Sequence, residues 1–308
     1  VTAFSELQRL RASKGGPPRK RDNRAAFMFL LPWFAGLLLI TAGPIAMSFA
    51  LGFTDYNLIE APQFNGLDNF ERMLSDERLH QALGVTFTYV LVSVPLQLAC
   101  ALGLALLLDR GLRGMSFYRS AFYLPSLLGS SVAIAVLWRQ IFGAEGMVNQ
   151  VLDLIGVSSR GWISDPGTAL STLVVLNVWT FGAPMIIFLA GLRQIPVMYY
   201  EAASVDGASK WTQFRRVTLP LLSPIIFFNL VLQIIHAFQS FTQAFVVSGG
   251  SGGPSDSTLF YTLYLYQRGF QSFDMGYASA LAWLLLLIIG AFTAVNFWAA
   301  KHWVFYDD

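Results

Sequence analysis

Charge is scarce in this 308-residue chain. Asp, Glu, Lys and Arg together make up 12% of it, about half of what a soluble domain carries. Residues 167–192 and 217–255 hold no charged residue at all. Hydrophobic residues reach 55% and the mean hydropathy is +0.54. That balance argues against a water-soluble globule, and several runs meet the roughly 20 apolar residues needed to cross a bilayer. Cysteine is nearly absent too. The one present, Cys100, has no partner for an internal disulfide. It lies in an apolar run and reads as a small packing residue rather than a reactive thiol.

Catalytic signatures are missing as well. There is no HExxH, and His80, His236 and His302 are far apart in sequence, so no metal site is expected. No GxxxxGK[ST] occurs, so the chain binds no nucleotide through a Walker-type loop of its own. The glycine-rich run at 249–253 lacks a lysine to reach a phosphate and reads as a flexible loop. No acid–base pair or nucleophile–base arrangement stands out, so no catalytic residue is assigned and the chain is not read as an enzyme. No Asp, Glu, Lys or Arg falls well inside an apolar run. Ion-coupled transport and intramembrane aspartic proteolysis, which use buried carboxylates, are disfavoured for that reason.

What is present is an all-α polytopic membrane protein. Six transmembrane helices are expected, at 25–54, 81–108, 119–142, 167–192, 220–247 and 275–300. The first is too long for a signal-peptide core and lacks a clear cleavage site. Residues 1–24 form a basic tail with seven Lys and Arg, and 301–308 form a second short tail. The basic tail lacks interleaved aromatics, so no nucleic acid is expected as a partner. Loops are expected at 55–80, 143–166 and 248–274. An even number of spans puts both termini on one side. That side holds 15 of the 20 Lys and Arg, against five (Arg72, Arg78, Arg139, Arg160 and Arg268) on the other. The positive-inside rule then makes both termini cytoplasmic. The polar segment 193–219 between the fourth and fifth spans is cytoplasmic with them.

The fifth span carries uncharged polar groups in a pattern. Asn229, Gln233, His236, Ser240 and Gln243 are spaced four, three, four and three apart, which keeps all five on one helical face. Facing lipid, amides and an imidazole would be poorly solvated. The face therefore looks into protein or water. It either lines a pathway for hydroxyl-rich neutral solutes or glues helices together. Asn177 and Trp179 in the fourth span, and Gln97 in the second, are weaker candidates.

The 193–219 segment reads as two short helices around a turn. Pro196 suits a first helical turn, Asp206-Gly207 is a stop signal, and Ser209 is placed to cap a second helix. Trp211, Phe214 and Val217 form an apolar stripe on that helix. Small residues at 202, 203, 207 and 208 allow a second surface to approach closely, and Glu201 and Asp206 could pair with basic groups on it. Alone, this fits either a docking element or an amphipathic connection lying on the membrane.

The same segment resembles a known family. Glu201-Ala202-Ala203, three residues, Gly207, nine residues, Val217, one residue and Leu219-Pro220 follow EAA-x3-G-x9-I-x-LP, the EAA loop of ABC-importer permeases. The one departure is Val217 for Ile. The longer run through Pro224 is similar to the carbohydrate-uptake group, as are residues 122–142, GMVN at 146–149, WISDP at 162–166 and MGYASALA at 275–282. The resemblance covers roughly residues 25–300, the six-span permease domain. It implies a multi-pass subunit in a bacterial plasma membrane. A second homologous permease would complete a heterodimer, two ATP-binding subunits would supply energy, and an extracytoplasmic solute-binding protein would deliver the sugar. No cofactor is implied for this chain, since ATP is used by the partner. Carried onto this sequence, Glu201, Ala202, Ala203, Gly207 and, less directly, Asp206 would couple to the ATPase. The competing expectations are a permease for glycerol-3-phosphate-type or other polyol solutes, and a stand-alone channel or facilitator.

Overall fold

The computed structural model describes residues 20–111, 114–154, 156 and 161–305. Residues 1–19 and 306–308 of the two expected tails lie outside that set. The chain divides into two units, Val1–Leu51 and Gly52–Asp308. In the first, α1 (Lys20–Gly36) continues through a π-helical stretch, Leu37–Ala42, into α2 (Gly43–Leu51). The helix begins five residues before the expected span. Pro32 sits inside it without ending it, as membrane helices tolerate.

The second unit starts with a minimal antiparallel pair, β1 (Thr54–Asp55) and β2 (Gln63–Phe64). A short helix, α3 (Asp68–Ser75), follows. The longest helix is α4 (Glu77–Asp109). Its N-terminus is capped by the Asp76 carboxylate, which accepts from the Leu79 amide at 3.1 Å. Ala82, Val85, Tyr89, Ser93, Gln97, Ala101, Ala105 and Leu108 are all buried. Their spacing of three or four makes one continuous inward face. Against that face pack α8 (Pro166–Trp179), α9 (Gly182–Leu192), α12 (Leu219–Phe238) and α14 (Tyr261–Tyr266). The remaining helices are α5 (Met115–Leu128), α6 (Val132–Ile141), α7 (Met147–Leu154), α10 (Val197–Val205), α11 (Lys210–Gln213), α13 (Thr242–Val247) and α15 (Met275–Trp303).

Among the described residues, four helical runs are long and apolar enough to cross a membrane: Phe27–Leu51, Glu77–Asp109, Lys210–Val247 and Met275–Trp303. Two further runs are bent pairs. The α5–α6 pair turns by 97° and the α8–α9 pair by 41°. The number of spans is six if each bent pair counts as one. The third expected span, 119–142, falls on the first of these bent pairs. Residues 129–131 leave the helix, Gly129 caps α5, and the Ser131 hydroxyl accepts from the Ile134 amide to start α6 in a new direction.

The three expected loops also contain structure. The 248–274 segment is the clearest case: Phe260, Tyr261, Leu263 and Tyr264 are among the most buried side chains in the molecule. The Tyr261 amide donates to Thr86 Oγ1 at 2.8 Å, and its hydroxyl donates to the Leu281 carbonyl at 2.6 Å. A six-residue helix flanked by Gly, Ser and Asp is too short to show a period, so the sequence reads as loop where the chain is core.

Beside α14 lies a charged cluster. Asp76, 8% exposed at its side chain, accepts hydrogen bonds from the hydroxyls of Tyr264 and Tyr277. Arg268 stands 3.7 Å away. Arg72 pairs with Asp274 at 2.7 Å, and Arg78 donates twice to Asp256 at 2.9 and 3.0 Å. Burial pushes the Asp76 carboxyl up, but the two tyrosine hydroxyls, the Leu79 amide and Arg268 outweigh it and hold it below its ordinary value. Burial and the neighbouring carboxylate hold Tyr264 up at about 12. The cluster ties the α3–α4 junction to residues 254–256, α14 and the start of α15.

Candidate functional site

Three interruptions in helices border one cavity. The first is 129–131, between α5 and α6. The second is 180–181, between α8 and α9. The third is 239–241, between α12 and α13. The cavity holds about 440 Å³, and no Asp, Glu, Lys or Arg lines it. A broken helix leaves carbonyl and amide groups without intrahelical partners, which is costly in an apolar surrounding unless other groups satisfy them. Side chains do so here. The Thr180 carbonyl accepts from Ser126 Oγ at 2.8 Å and from Gln97 Nε2 at 3.3 Å. Gln97 also donates to Thr180 Oγ1 at 2.9 Å and accepts from Asn177 at 3.4 Å. Ser126 Oγ accepts in turn from the Ala183 amide at 2.8 Å. Across the cavity, Gln243 Nε2 donates to the Gly129 carbonyl at 3.1 Å, and Thr262 Oγ1 donates to the Ser240 carbonyl at 2.5 Å.

Glycines let the interruptions meet. A Cβ on Gly129 would sit 2.1 Å from Thr180 Cγ2. One on Gly182 would sit 2.3 Å from the Phe122 carbonyl oxygen and 2.7 Å from Tyr123 Cα. Neither helix pair could keep its present approach with a larger residue.

Four of the five polar residues proposed from the fifth span, Gln233, His236, Ser240 and Gln243, line this cavity. Asn229 does not. It is fully buried, and its Nδ2 donates back to the Ile225 carbonyl of its own helix at 3.1 Å. The single-face expectation is corrected on a second count, because the helix stops at Phe238. Ser240 and Gln243 reach the cavity from the interruption and from α13, not from the α12 face. Gln97 and Asn177, ranked lower in the sequence, also line it, as does Gln239. Trp179 instead packs its ring 5.9 Å from that of Trp138. Among the described residues, the side chains of Gln233, His236 and Gln239 make no internal hydrogen bond. They stand among the unengaged polar groups of the cavity wall, with the hydroxyls of Ser130 and Thr242. The described residues contain no group of three His, Cys, Asp or Glu placed to hold a metal ion.

The 193–219 segment leads directly out of the cavity. Ala183 and Pro184 at the start of α9 line it, and α9 runs to Leu192, roughly 13 Å further on by helical rise. After four connecting residues α10 begins at Val197. Gly207 ends this turn at φ +75°, the left-handed region that suits glycine. The Ala208 amide donates to the Ala203 carbonyl and the Gly207 amide to the Ser204 carbonyl. Ser209 Oγ accepts from the Thr212 amide and caps α11. A π-helical stretch, Phe214–Thr218, then joins α11 to α12, which returns to the cavity. Glu201, Ala202, Asp206 and Gly207 are exposed and Ala203 is half-buried. Glu201 and Asp206 make no ion pair among the described residues. The expected stripe of Trp211, Phe214 and Val217 is split by the π-helical register. Trp211 and Phe214 face one hollow, and Val217 faces another.

A polytopic helical fold with an uncharged polar cavity, joined through two helices to an exposed loop, defines a membrane protein built to handle a solute. The family follows from comparison. Residues 86–303 match the model of the binding-protein-dependent transport system inner membrane component, and the chain belongs to that family. It is 50% identical over 291 residues, 94% of each chain, to the probable ABC transporter permease protein YesP of Bacillus subtilis (strain 168). It is 31% identical to the lactose transport system permease protein LacF of Rhizobium radiobacter, over 90% of this chain and 94% of that one. Among solved structures it resembles a chain of a bacterial ABC transporter involved in the import of the acidic polysaccharide alginate. The TM-score is 0.78 at 22% identity, covering 91% of this chain and 96% of that one. This likeness shows the fold.

Proposed function

We propose that this chain is one permease subunit of an ATP-driven, binding-protein-dependent importer of a neutral carbohydrate. The observation that carries the reading is the cavity. It is polar, it carries no charge, and three of its side chains, Gln233, His236 and Gln239, have hydrogen-bonding capacity to spare. Amides and imidazole both donate and accept, as sugar hydroxyls do. A phosphate or carboxylate would find no cation there. The curated relatives support the class: besides the lactose system permease, one is named as a trehalose/maltose transport system permease and another as an arabinooligosaccharide one.

In this reading the 193–219 segment lies in the cytoplasm, as the Lys and Arg bias indicates. Glu201, Ala202, Ala203, Asp206 and Gly207 are the surface that meets an ATPase subunit. The loop is strung between α9 and α12, which both border the cavity, so a displacement of the loop moves two cavity walls. ATP-driven closure of the partner is then a ligand event that biases a two-state membrane element. A second permease, two ATPase subunits and an extracytoplasmic solute-binding protein complete the assembly. One of the solved relatives is described in complex with an oligosaccharide-bound periplasmic protein.

Gly207→Pro tests the coupling. Proline fixes φ near −65° and removes the amide that donates to Ser204. The variant is expected to insert and to co-purify with its permease partner, while sugar uptake falls at least about tenfold. Normal uptake would remove the coupling role of this turn.

A further inference from the structure

The segment after Gly207 has two hollows on opposite sides. One, of about 610 Å³, is formed by Ala203, Asp206, Gly207, Thr212, Arg216 and Val217. It belongs to the coupling surface described above. The other, of about 840 Å³, lies on the opposite side of α11, where Lys210, Trp211 and Phe214 face the end of α4 at Leu106, Asp109 and Arg110. Its chemistry differs. One wall is apolar: the rings of Trp211 and Phe214 stand 5.5 Å apart, with Leu106 and Leu192 beside them. Trp211 is 69% exposed. The other wall is cationic. Arg193 takes up the one carboxylate, Asp109, at 3.6 Å. That leaves Arg110 and Lys210 without a carboxylate partner among the described residues. Lys210 Nζ donates only to Gln213 Oε1, at 3.2 Å.

We propose that this second hollow holds an anionic phospholipid, its phosphate on Arg110 and Lys210 and an acyl chain along Leu106, Trp211 and Phe214. An apolar wall beside two unneutralised cations matches a molecule with an anionic head and a hydrocarbon tail. A free anion would leave the aromatic wall bare, and a neutral lipid would leave both cations unpaired. The position fits as well. The site is at the end of a bilayer-length helix, where headgroups lie, and tryptophan favours that level. The placement in the cytoplasmic leaflet rests on the orientation proposed above, whereas the lipid contact itself does not. Binding there would brace α11 against α4 and fix the inner side of the coupling segment while its outer side engages a partner.

The test uses the full chain in neutral detergent with equimolar dioleoyl phosphatidylglycerol and dioleoyl phosphatidylcholine, read by native mass spectrometry. Phosphatidylglycerol is expected to be retained preferentially. The preference should fall by about thirtyfold in the R110Q/K210Q double variant, the factor that two cations near an anionic headgroup supply. Arg215→Gln, a cation of the same segment outside the hollow, should leave it unchanged. A second reading does not depend on the charge variants folding well. Phosphatidylglycerol with brominated acyl chains should quench a component of the tryptophan fluorescence that Trp211→Phe removes. Equal retention of the two lipids, an undiminished preference in R110Q/K210Q, or quenching unaffected by Trp211→Phe would overturn the proposal. So would loss of the bound phosphatidylglycerol when the chain is purified with its ATPase subunit, since that would assign the hollow to a protein contact.

Discussion

The cavity at the broken helices and the cluster around Asp76 both place polar groups among apolar helices, and they do so in opposite ways. The Asp76 cluster is charged and saturated. Its central carboxylate has two tyrosine hydroxyls, a backbone amide and an arginine around it, and the two flanking arginines each have an aspartate. The cavity is uncharged and only partly satisfied. Its structural half, Gln97, Asn177, Ser126 and Thr180, is bonded internally. Its other half, Gln233, His236 and Gln239, is not. A saturated charged network holds one arrangement at its centre, because moving the partners of Asp76 strands an enclosed charge. A neutral, half-satisfied wall can exchange partners at little cost, because each neutral hydrogen bond contributes only about 1 kcal/mol net. The first is suited to fixing helices and the second to handling a solute.

Substitutions can sharpen this contrast. The largest effect on stability is expected at Gly182→Val, where the added carbons meet the Phe122 backbone. Overpacking of this kind costs about 1–3 kcal/mol. The detergent-solubilised variant should melt well below the parent and yield less folded protein. A parent-like melting temperature would mean that the α5–α9 approach is loose.

Asp76→Asn comes next, with an expected loss of about 1–3 kcal/mol from the disrupted buried network. The pH dependence has a definite sign. The carboxyl is held below its ordinary value, so its contribution is complete above the unfolded value, about 3.9. It is lost as pH falls through the lower folded value. Thermal stability should therefore show an acid limb beginning near pH 4 that is absent in Asp76→Asn. An identical acid limb in both proteins would take Asp76 out of the account.

Gln233→Leu removes one unengaged cavity group. Uptake by the assembled transporter should show a KM raised by roughly two- to tenfold, the value of one neutral hydrogen bond. Its thermal stability should be unchanged, since the amide makes no internal bond. Asn229→Leu should do least to uptake, leaving the KM within about twofold. The residue is buried away from the cavity and bonded to its own helix. A large KM effect there would restore it to the solute-handling surface.

Much of this was legible in the sequence. The long apolar runs marked α4, α12 and α15. The Pro196, Asp206-Gly207 and Ser209 signals marked the helix–turn–helix of the 193–219 segment, because those residue types fix local backbone geometry by themselves. Gln233 and His236 were legible from their spacing. What escaped depended on tertiary partners. Gly129 and Gly182 look like ordinary glycines in apolar runs until the facing backbones are in place. The interruption at 180–181 is stabilised by Gln97 and Ser126, and the one at 129–131 by Gln243, all distant in sequence from the carbonyls they satisfy. Asn229 shares a period with Gln233, but a period ranks residues by face and does not say which face is wet. Tyr261 and Tyr264 sat in a stretch too short and too glycine-flanked to announce itself as core.

The most direct test of the central claim is uptake into proteoliposomes, with the sugar bound by the cognate solute-binding protein as the labelled solute. The account predicts no flux through this chain alone, or through both permeases without ATPase subunits. It predicts ATP-dependent accumulation once the permease pair, the ATPase subunits and the binding protein are all present. Flux of that sugar through this chain alone, without ATP, would contradict it.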